Sequence, residues 1–572
     1  MGKLERIIRV ARGEEEADLL LKSARLVNVL SGEIHEADVA IASTHVVGLG
    51  DYRAKEVLDL QGAYLCPGLI DGHIHIESSM LRIPEFARVV VPHGTTTVIT
   101  DPHEIANVLG LDGIRYMMES SKGNPLSVYF MLPSCVPSTP LETTGSRLKS
   151  YDLAPLLNEE WVVGVAEMMD YPGVLLGDRD VLEKITISSG KRVDGHAPHL
   201  SGRDLNAYIA AGMTSDHESS SFEEANEKLQ RGMYIMIREG SAAKNMEALL
   251  SLVTPENARR CMFVSDDNDP ADLLDRGHMD HIVRKAVSLG LKPMLAIQMA
   301  SINTAEYFGL RNLGAVAPGY RADMVVFDDF KDFEVKKVFR GGRLVAEDGR
   351  LLPMDGKHAQ VPLRGTVNVA WIELEQFRIK AKGRRARVIW LTPNQLVTKQ
   401  LIEGVKTVNG LAVADVERDI LKLAVIERHL ASGNVGLGFV KGFGLKRGAL
   451  ASSVAHDSHN IIVVGTNDLD MMTAAVEIVK MQGGLVAAAE GKTLATLPLP
   501  IAGLMSNNSA EEVKAEMDNL KGVARDLGCT VSTPFMAMSF LALPVIPRLK
   551  LTDKGLVDVK KFDFVPLFAD EG

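Results

Sequence analysis

The sequence predicts an α/β protein: a (β/α)8 TIM-like barrel, a small β-sandwich built from both flanks of that barrel, and an α+β domain at the C-terminal end. Three observations carry the prediction. Eight short strand-like runs alternate with amphipathic stretches between residues 67 and 318, the rhythm of a barrel of roughly 250 residues. Turn-rich β patterns stand on both sides of that region, at 18–66 and 323–352. From about residue 366 the pattern changes again, to a unit with two long helical stretches. The chain has 572 residues, and at roughly 150 residues per domain three or four domains are expected. The boundaries follow the three patterns: 1–66 with 319–365 for the composite β-domain, 67–318 for the barrel, and 366–572 for the C-terminal domain.

Each element has its own justification. In residues 18–66 the runs Leu19-Leu20-Leu21, Arg25-Leu26-Val27-Asn28-Val29 and Asp38-Val39-Ala40-Ile41 alternate with turns and predict a small antiparallel sheet. Asp323-Met324-Val325-Val326-Phe327 and the run from Val335 to Val345 repeat the style and complete it. The barrel strands are expected at Leu69–His75, Thr95–Thr100, Ser127–Leu132, Val162–Glu167, Arg192–His196, Met213–His217, Tyr234–Arg238 and Cys261–Asp266. A doubly wound open sheet would carry a Gly-rich first turn, and none follows the first strand. In the last domain, helices are expected at Asp468–Lys480 and Ala510–Leu527. The second begins with the capping box Ser509-Ala510-Glu511-Glu512 and sets Val513, Met517, Leu520, Ala524 and Leu527 on one face. The Gly-rich segments at 436–448 match neither phosphate-loop pattern, which excludes nucleotide phosphate binding there.

Composition narrows the function. A net charge of -11 disfavours nucleic acid, which calls for a basic face, and suits a small neutral substrate. Cys66, Cys135, Cys261 and Cys529 are scattered without a CxxC pair, so neither a disulfide framework nor a cysteine metal site is expected. No signal-peptide pattern and no apolar run of about 18 residues occurs. The expectation is a cytoplasmic protein without membrane contact.

The chemistry sits at the strand ends. Strand one ends in His73-Ile74-His75, and residues i and i+2 of a strand project from one face. Strand four ends in Glu167, strand five in His196, strand six in His217 and strand eight in Asp266. His199, three residues after His196, is the alternative ligand on strand five. Four histidines and two carboxylates at one barrel mouth can hold two divalent ions, with Glu167 shared between them and an activated water as nucleophile. Nitrogen and oxygen ligation suits zinc, iron and manganese alike.

The run Pro67-Gly68-Leu69-Ile70-Asp71-Gly72-His73-Ile74-His75 resembles the strand-one signature of the metal-dependent amidohydrolase superfamily. His75-Ile76-Glu77-Ser78-Ser79-Met80, Thr100-Asp101-Pro102-His103-Glu104-Ile105-Ala106-Asn107-Val108, Arg238-Glu239-Gly240-Ser241 and Val454-Ala455-His456-Asp457-Ser458-His459-Asn460 resemble the adenine deaminase family within it. The superfamily's strand-four position is often a carboxylated lysine. No lysine lies between Trp161 and Tyr171, and the resemblance implies the Glu167 variant with manganese or iron bound. It further implies hydrolytic deamination of adenine to hypoxanthine and ammonia by a metal-bound hydroxide, a step of purine salvage. Asp266 would be ligand and proton shuttle, first base and then acid. Glu104, Glu239 and His103 are the candidates for protonating ring N1, and residue spacing does not rank them. His103, Arg238, Asp267, His456 and His459 are expected around the substrate, the last two on a lid from the third domain. A homo-oligomer, a dimer, is expected. The rival readings are a cyclic amide hydrolase of the dihydroorotase or hydantoinase type, and a non-catalytic scaffold on the same fold.

Overall fold

The computed structural model describes residues 2–241, 243–353, 363–392 and 397–569; residues 354–362, within the expected end of the β-domain, lie outside the described residues. All eight expected barrel strands form. They run from Leu69–His75 through Thr95–Thr100, Ser127–Pro133, Val162–Met168, Arg192–Gly195, Ser215–Asp216 and Tyr234–Arg238 to Cys261–Val264, each parallel to its neighbour. The sixth strand is shorter than expected: its ladder takes in Ser215–Asp216 alone, and His217 lies just beyond it.

The ring closes in an uneven way. Strand eight breaks at Ser265, whose backbone N–H donates to Asp71 Oδ1 at 3.1 Å and whose hydroxyl donates to Asp71 Oδ2 at 2.5 Å. Beyond that break Asp266–Asp267 forms a two-residue strand paired in parallel with Ile74–His75. Asp266 takes φ 61°, a left-handed conformation that asparagine and aspartate tolerate better than most residues.

The flanks meet as expected. Tyr64–Pro67 pairs antiparallel with Met324–Phe327, joining strands from both sides of the barrel into one nine-stranded sheet. The sheet is not wholly antiparallel. Ala17–Asn28 runs parallel to both Ala54–Asp59 and Tyr64–Pro67, because the chain crosses over after His45–Leu49 before returning to the first strand. Leu26, Val39, Ile41, Met324 and Phe339 form its core. A helix at Gly2–Ala11, absent from the sequence expectation, buries Val10 against Ala17 and Leu20.

The last region builds an eight-stranded sheet between Arg385 and Pro498. Helix Asp468–Lys480 buries Met471, Ala474, Ala475 and Ile478 on one face of it. Helix Ala510–Asp526 buries Val513, Met517, Leu520 and Ala524 in a second cluster. That cluster continues into barrel residues such as Ile83, Phe86 and Leu273, so this domain shares apolar core with the barrel. The capping box is formed at both ends: Glu512 N donates to Ser509 Oγ at 3.3 Å, and Ser509 N to Glu512 Oε2 at 2.9 Å. Replacing a cap serine by alanine costs about 1 kcal/mol, a factor of about five in a local equilibrium. Ser509→Ala should therefore speed amide hydrogen exchange in helix 510–526 by that factor and leave helix 468–480 unchanged, as mass spectrometry of exchanged peptides would read.

Candidate active site

The barrel fold delivers the expected side chains to one place. His73, His75, Glu167, His217 and Asp266 are all buried, and His196 is mostly so. Glu167 is the hub: its Oε2 lies 2.7 Å from His217 Nε2, 3.1 Å from His196 Nδ1 and 3.7 Å from His73 Nε2. On its other side, His75 Nε2 is 4.0 Å from Glu167 Oε1 and 3.4 Å from Asp266 Oδ1. The rings of His73 and His217 stack with centroids 4.3 Å apart. His199 is exposed and turned to Glu224, which leaves His196 as the strand-five member.

The donor set fits divalent metal. His73, His75 and Asp266 can each offer an atom within 4.8 Å of the others, and so can His73, Glu167 and His217. His73 Nε2, 3.7 Å from Glu167 Oε2, is buried without a hydrogen-bond partner among the described residues, a costly state for a polar atom unless a cation takes the lone pair. His75 Nδ1 lies 2.9 Å from the carbonyl of Asp101; its N–H donates there, which directs the Nε2 lone pair into the cluster.

Surrounding groups hold this set in place. Asp101 Oδ2 accepts from the backbone N–H of Glu167 at 2.7 Å and lies 3.2 Å from His103 Nδ1. Beneath His196 and His217 the fully buried Lys228 donates to Asp216 Oδ2 at 2.8 Å, Glu224 at 2.9 Å and the carbonyl of Ala197 at 2.8 Å. Asp216 in turn accepts from the N–H groups of Ala197 and Ser219, so one ion pair sets both loops.

Arg238 bridges Glu218, at 2.5 Å, and Asp266 Oδ2. Burial alone would raise the pKa of Asp266; Arg238 and His75 outweigh it and hold the carboxyl well below its ordinary range. Burial likewise pushes Glu167 upward, and His196 and His217 hold it well below. Glu218 was not among the expected residues, although it directly follows a strand-end histidine.

The mouth is closed by the third domain. Glu104 Oε1 is 2.7 Å from His456 Nδ1, and Glu104 Oε2 meets His459 Nε2. His103 Nε2 is 3.4 Å from the same carboxylate. Although two histidines and a glutamate resemble a further metal group, the backbone N–H of Ala455 donates to His459 Nδ1 at 3.2 Å. That makes Nδ1 the acceptor and Nε2–H the donor toward Glu104, a hydrogen bond rather than a ligand lone pair. His456 stacks on Phe540, 4.7 Å between centroids. A cleft leads outward from Asp267 and His456 along Met80, Met517, Phe535 and Phe540; Asp267 accepts from Ser78 Oγ at 2.5 Å.

One expected residue is elsewhere. Glu239 pairs with Lys285 at 2.8 Å, on the helix Met279–Ser288, and does not join the cluster. The reason is strand geometry: Arg238 points to the centre, so its successor points to the outer layer.

The amidohydrolase family model matches residues 64–345, which defines the class, and the adenine deaminase C-terminal domain model matches 395–563. A protein named adenine deaminase from Desulfatibacillum aliphaticivorans is 53% identical, over 99% of this chain and 99% of its own. One of the same name from Dehalococcoides mccartyi is 51% identical, over 98% and 99%. Another, from Methanothrix thermoacetophila, is 50% identical, over 99% and 100%. The chain belongs to the adenine deaminase family of the amidohydrolases. Relatives of this name across the full length favour that reading over a cyclic amide hydrolase or a scaffold. No helix among the described residues is long and apolar enough to cross a membrane.

Removing Lys228 would strand a buried aspartate between two ligand loops, a change that costs about 3–5 kcal/mol. Lys228→Met should lower thermal stability and reduce metal content per chain; unchanged metal content by elemental analysis would count against its hold on His196 and His217.

Proposed function

We propose that the protein catalyses hydrolytic deamination of adenine to hypoxanthine and ammonia, with two divalent ions held by His73, His75, Glu167, His196, His217 and Asp266. The observation that carries this reading is the convergence of those six groups, with Glu167 within 4.0 Å of four histidine nitrogens, on a mouth walled by the family's C-terminal domain. The ions, manganese or iron in this reading and zinc by ligand type, would supply Lewis acidity that lowers the pKa of water and polarises an electrophile.

The chain's own groups supply the rest. Asp266, ionised beside Arg238, takes a proton from the attacking water and hands it to the leaving amine. The water oxygen bonds to C6 and the C6–amine bond breaks, so one water proton leaves in ammonia. Glu104, which His456, His459 and His103 hold ionised against the push of burial, relays a proton from His456 to ring N1, and the second water proton refills the Glu104–His456 pair. His103 is held between Asp101 and Glu104 and orients that carboxylate. Asp267 and His456 border the purine from the cleft, and Arg238 and His459 act through the carboxylates they hold. Excluding water from the mouth strengthens each of these interactions. A cytoplasmic homodimer completes the reading; size-exclusion chromatography with light scattering tests the assembly.

The deciding experiment is ammonia release from adenine, adenosine, guanine, cytosine and hydantoin, with metal content measured on the same sample. Turnover of hydantoin without turnover of adenine would overturn the reading. Asp266→Asn keeps an oxygen for coordination and loses the proton acceptor, so kcat should fall by about 10²–10⁴ with metal content nearly retained. Glu104→Gln should lose about as much, whereas Glu239→Gln should stay within a few fold of the parent; the reverse order would transfer the N1 role to Glu239.

A further inference from the structure

Among the described residues Arg428 is the largest side chain that is wholly buried, and no carboxylate among them hydrogen-bonds its guanidinium. Its guanidinium donates instead to three backbone carbonyls from separate segments: Nε to His459, Nη1 to Thr366 at 3.3 Å and Nη2 to Ala502 at 3.0 Å. Its own N–H donates to Asn460 Oδ1 at 3.2 Å. The neighbouring His429 Nε2 lies 2.6 Å from the carbonyl of Ser458. The adjacent acid, Glu427, is occupied by the turn that follows, accepting from Leu430 at 2.6 Å and from Ser432 at 2.8 Å. At Gly503, φ 71°, an added Cβ would sit 2.7 Å from Arg428 Nη1, so the backbone there is shaped around the guanidinium.

Two of the three segments that Arg428 gathers reach the barrel. His459 touches Glu104. The loop through Ala502 continues to Ser506, whose N–H donates to the carbonyl of Met80 at 2.8 Å, beside Ser78 at the mouth. A buried charge whose direct hydrogen bonds run to carbonyls, with Glu427 opposing the effect of burial only through its field, is expensive to hold, and methionine or leucine would fill the same volume without that cost. What an apolar residue would lack is a planar fork that fixes three carbonyls at once.

We propose that Arg428 is a positioning residue for the deamination, setting His459, and with it His456, against Glu104. The inference rests on the proposed role of the Glu104–histidine unit, and a double-mutant cycle separates the two claims. Adenine turnover and metal content are measured for Arg428→Lys, Arg428→Met, His459→Gln and the double variants. Arg428→Lys keeps charge and length but loses the fork, so the cycle stands on it should Arg428→Met fail to fold. The expected result is a fall in kcat of at least tenfold for Arg428→Lys in the parent, with metal content retained, and a further fall of less than about twofold in the His459→Gln background, since residues acting as one unit are non-additive. An equal fall on both backgrounds, or loss of metal in step with activity, would make Arg428 a structural staple and overturn the proposal. Parent-like kcat in Arg428→Lys with an impaired His459→Gln would also overturn it while leaving the function standing. Parent-like kcat in His459→Gln would instead remove the role of the histidine unit itself, and the proposal with it.

Discussion

The rest of this molecule depends on keeping several ionisable side chains away from water in one small volume. Glu167 and Asp266 are carboxylates with 5% exposure each, in a setting where an isolated charge would be neutralised by a shift of its pKa. The protein answers with paired groups in concentric order. Histidines surround Glu167, Arg238 holds Asp266, and further out the Lys228–Asp216 pair and Asp101 fix the backbone from which those side chains project. Each layer fixes the position of the one inside it, while His73 Nε2 keeps no hydrogen-bond partner among the described residues.

That arrangement explains why the barrel needs its attachments. Glu104 is more buried than either ligand carboxylate, and besides His103 its partners come from the C-terminal domain, more than 350 residues along the chain. Without that domain its carboxylate would keep His103 alone. The shared apolar core between Phe86, Leu273, Met517 and their neighbours makes the contact permanent enough for a hydrogen bond across it to be part of the site.

Much of this is legible in the amino-acid sequence. Period-two patterning and the His73–His75 spacing indicated the strands and their facing, because a strand fixes the direction of alternate side chains. The Ser509 capping box located a helix start for the same local reason. What was not legible came from the third dimension. Residue spacing gave Glu104 and Glu239 equal standing; only the strand's alternation, seen from Arg238, turns Glu239 outward to Lys285. Glu218 and Lys228 carry no motif, and Asp101 lies within the Thr100–Val108 run without a role that spacing assigns, since a side chain that supports a ligand is defined by what it reaches across the fold. Arg428 lies two residues beyond the strand Ile420–Ile426, and nothing local announces its burial.

The seam of the barrel gives one more consequence. The last rung of the ring is the pairing of Asp266–Asp267 with Ile74–His75, so two members of the ligand set lie on opposite lips of the joint. A cation gripped by both would act as a rivet through it. Cation affinity and integrity of the cylinder are then two readings of a single equilibrium, since whatever binds the closed form alone also stabilises it. The chain cannot retune one without moving the other, and an ion too large or too small for the gap would be felt as strain around the whole ring.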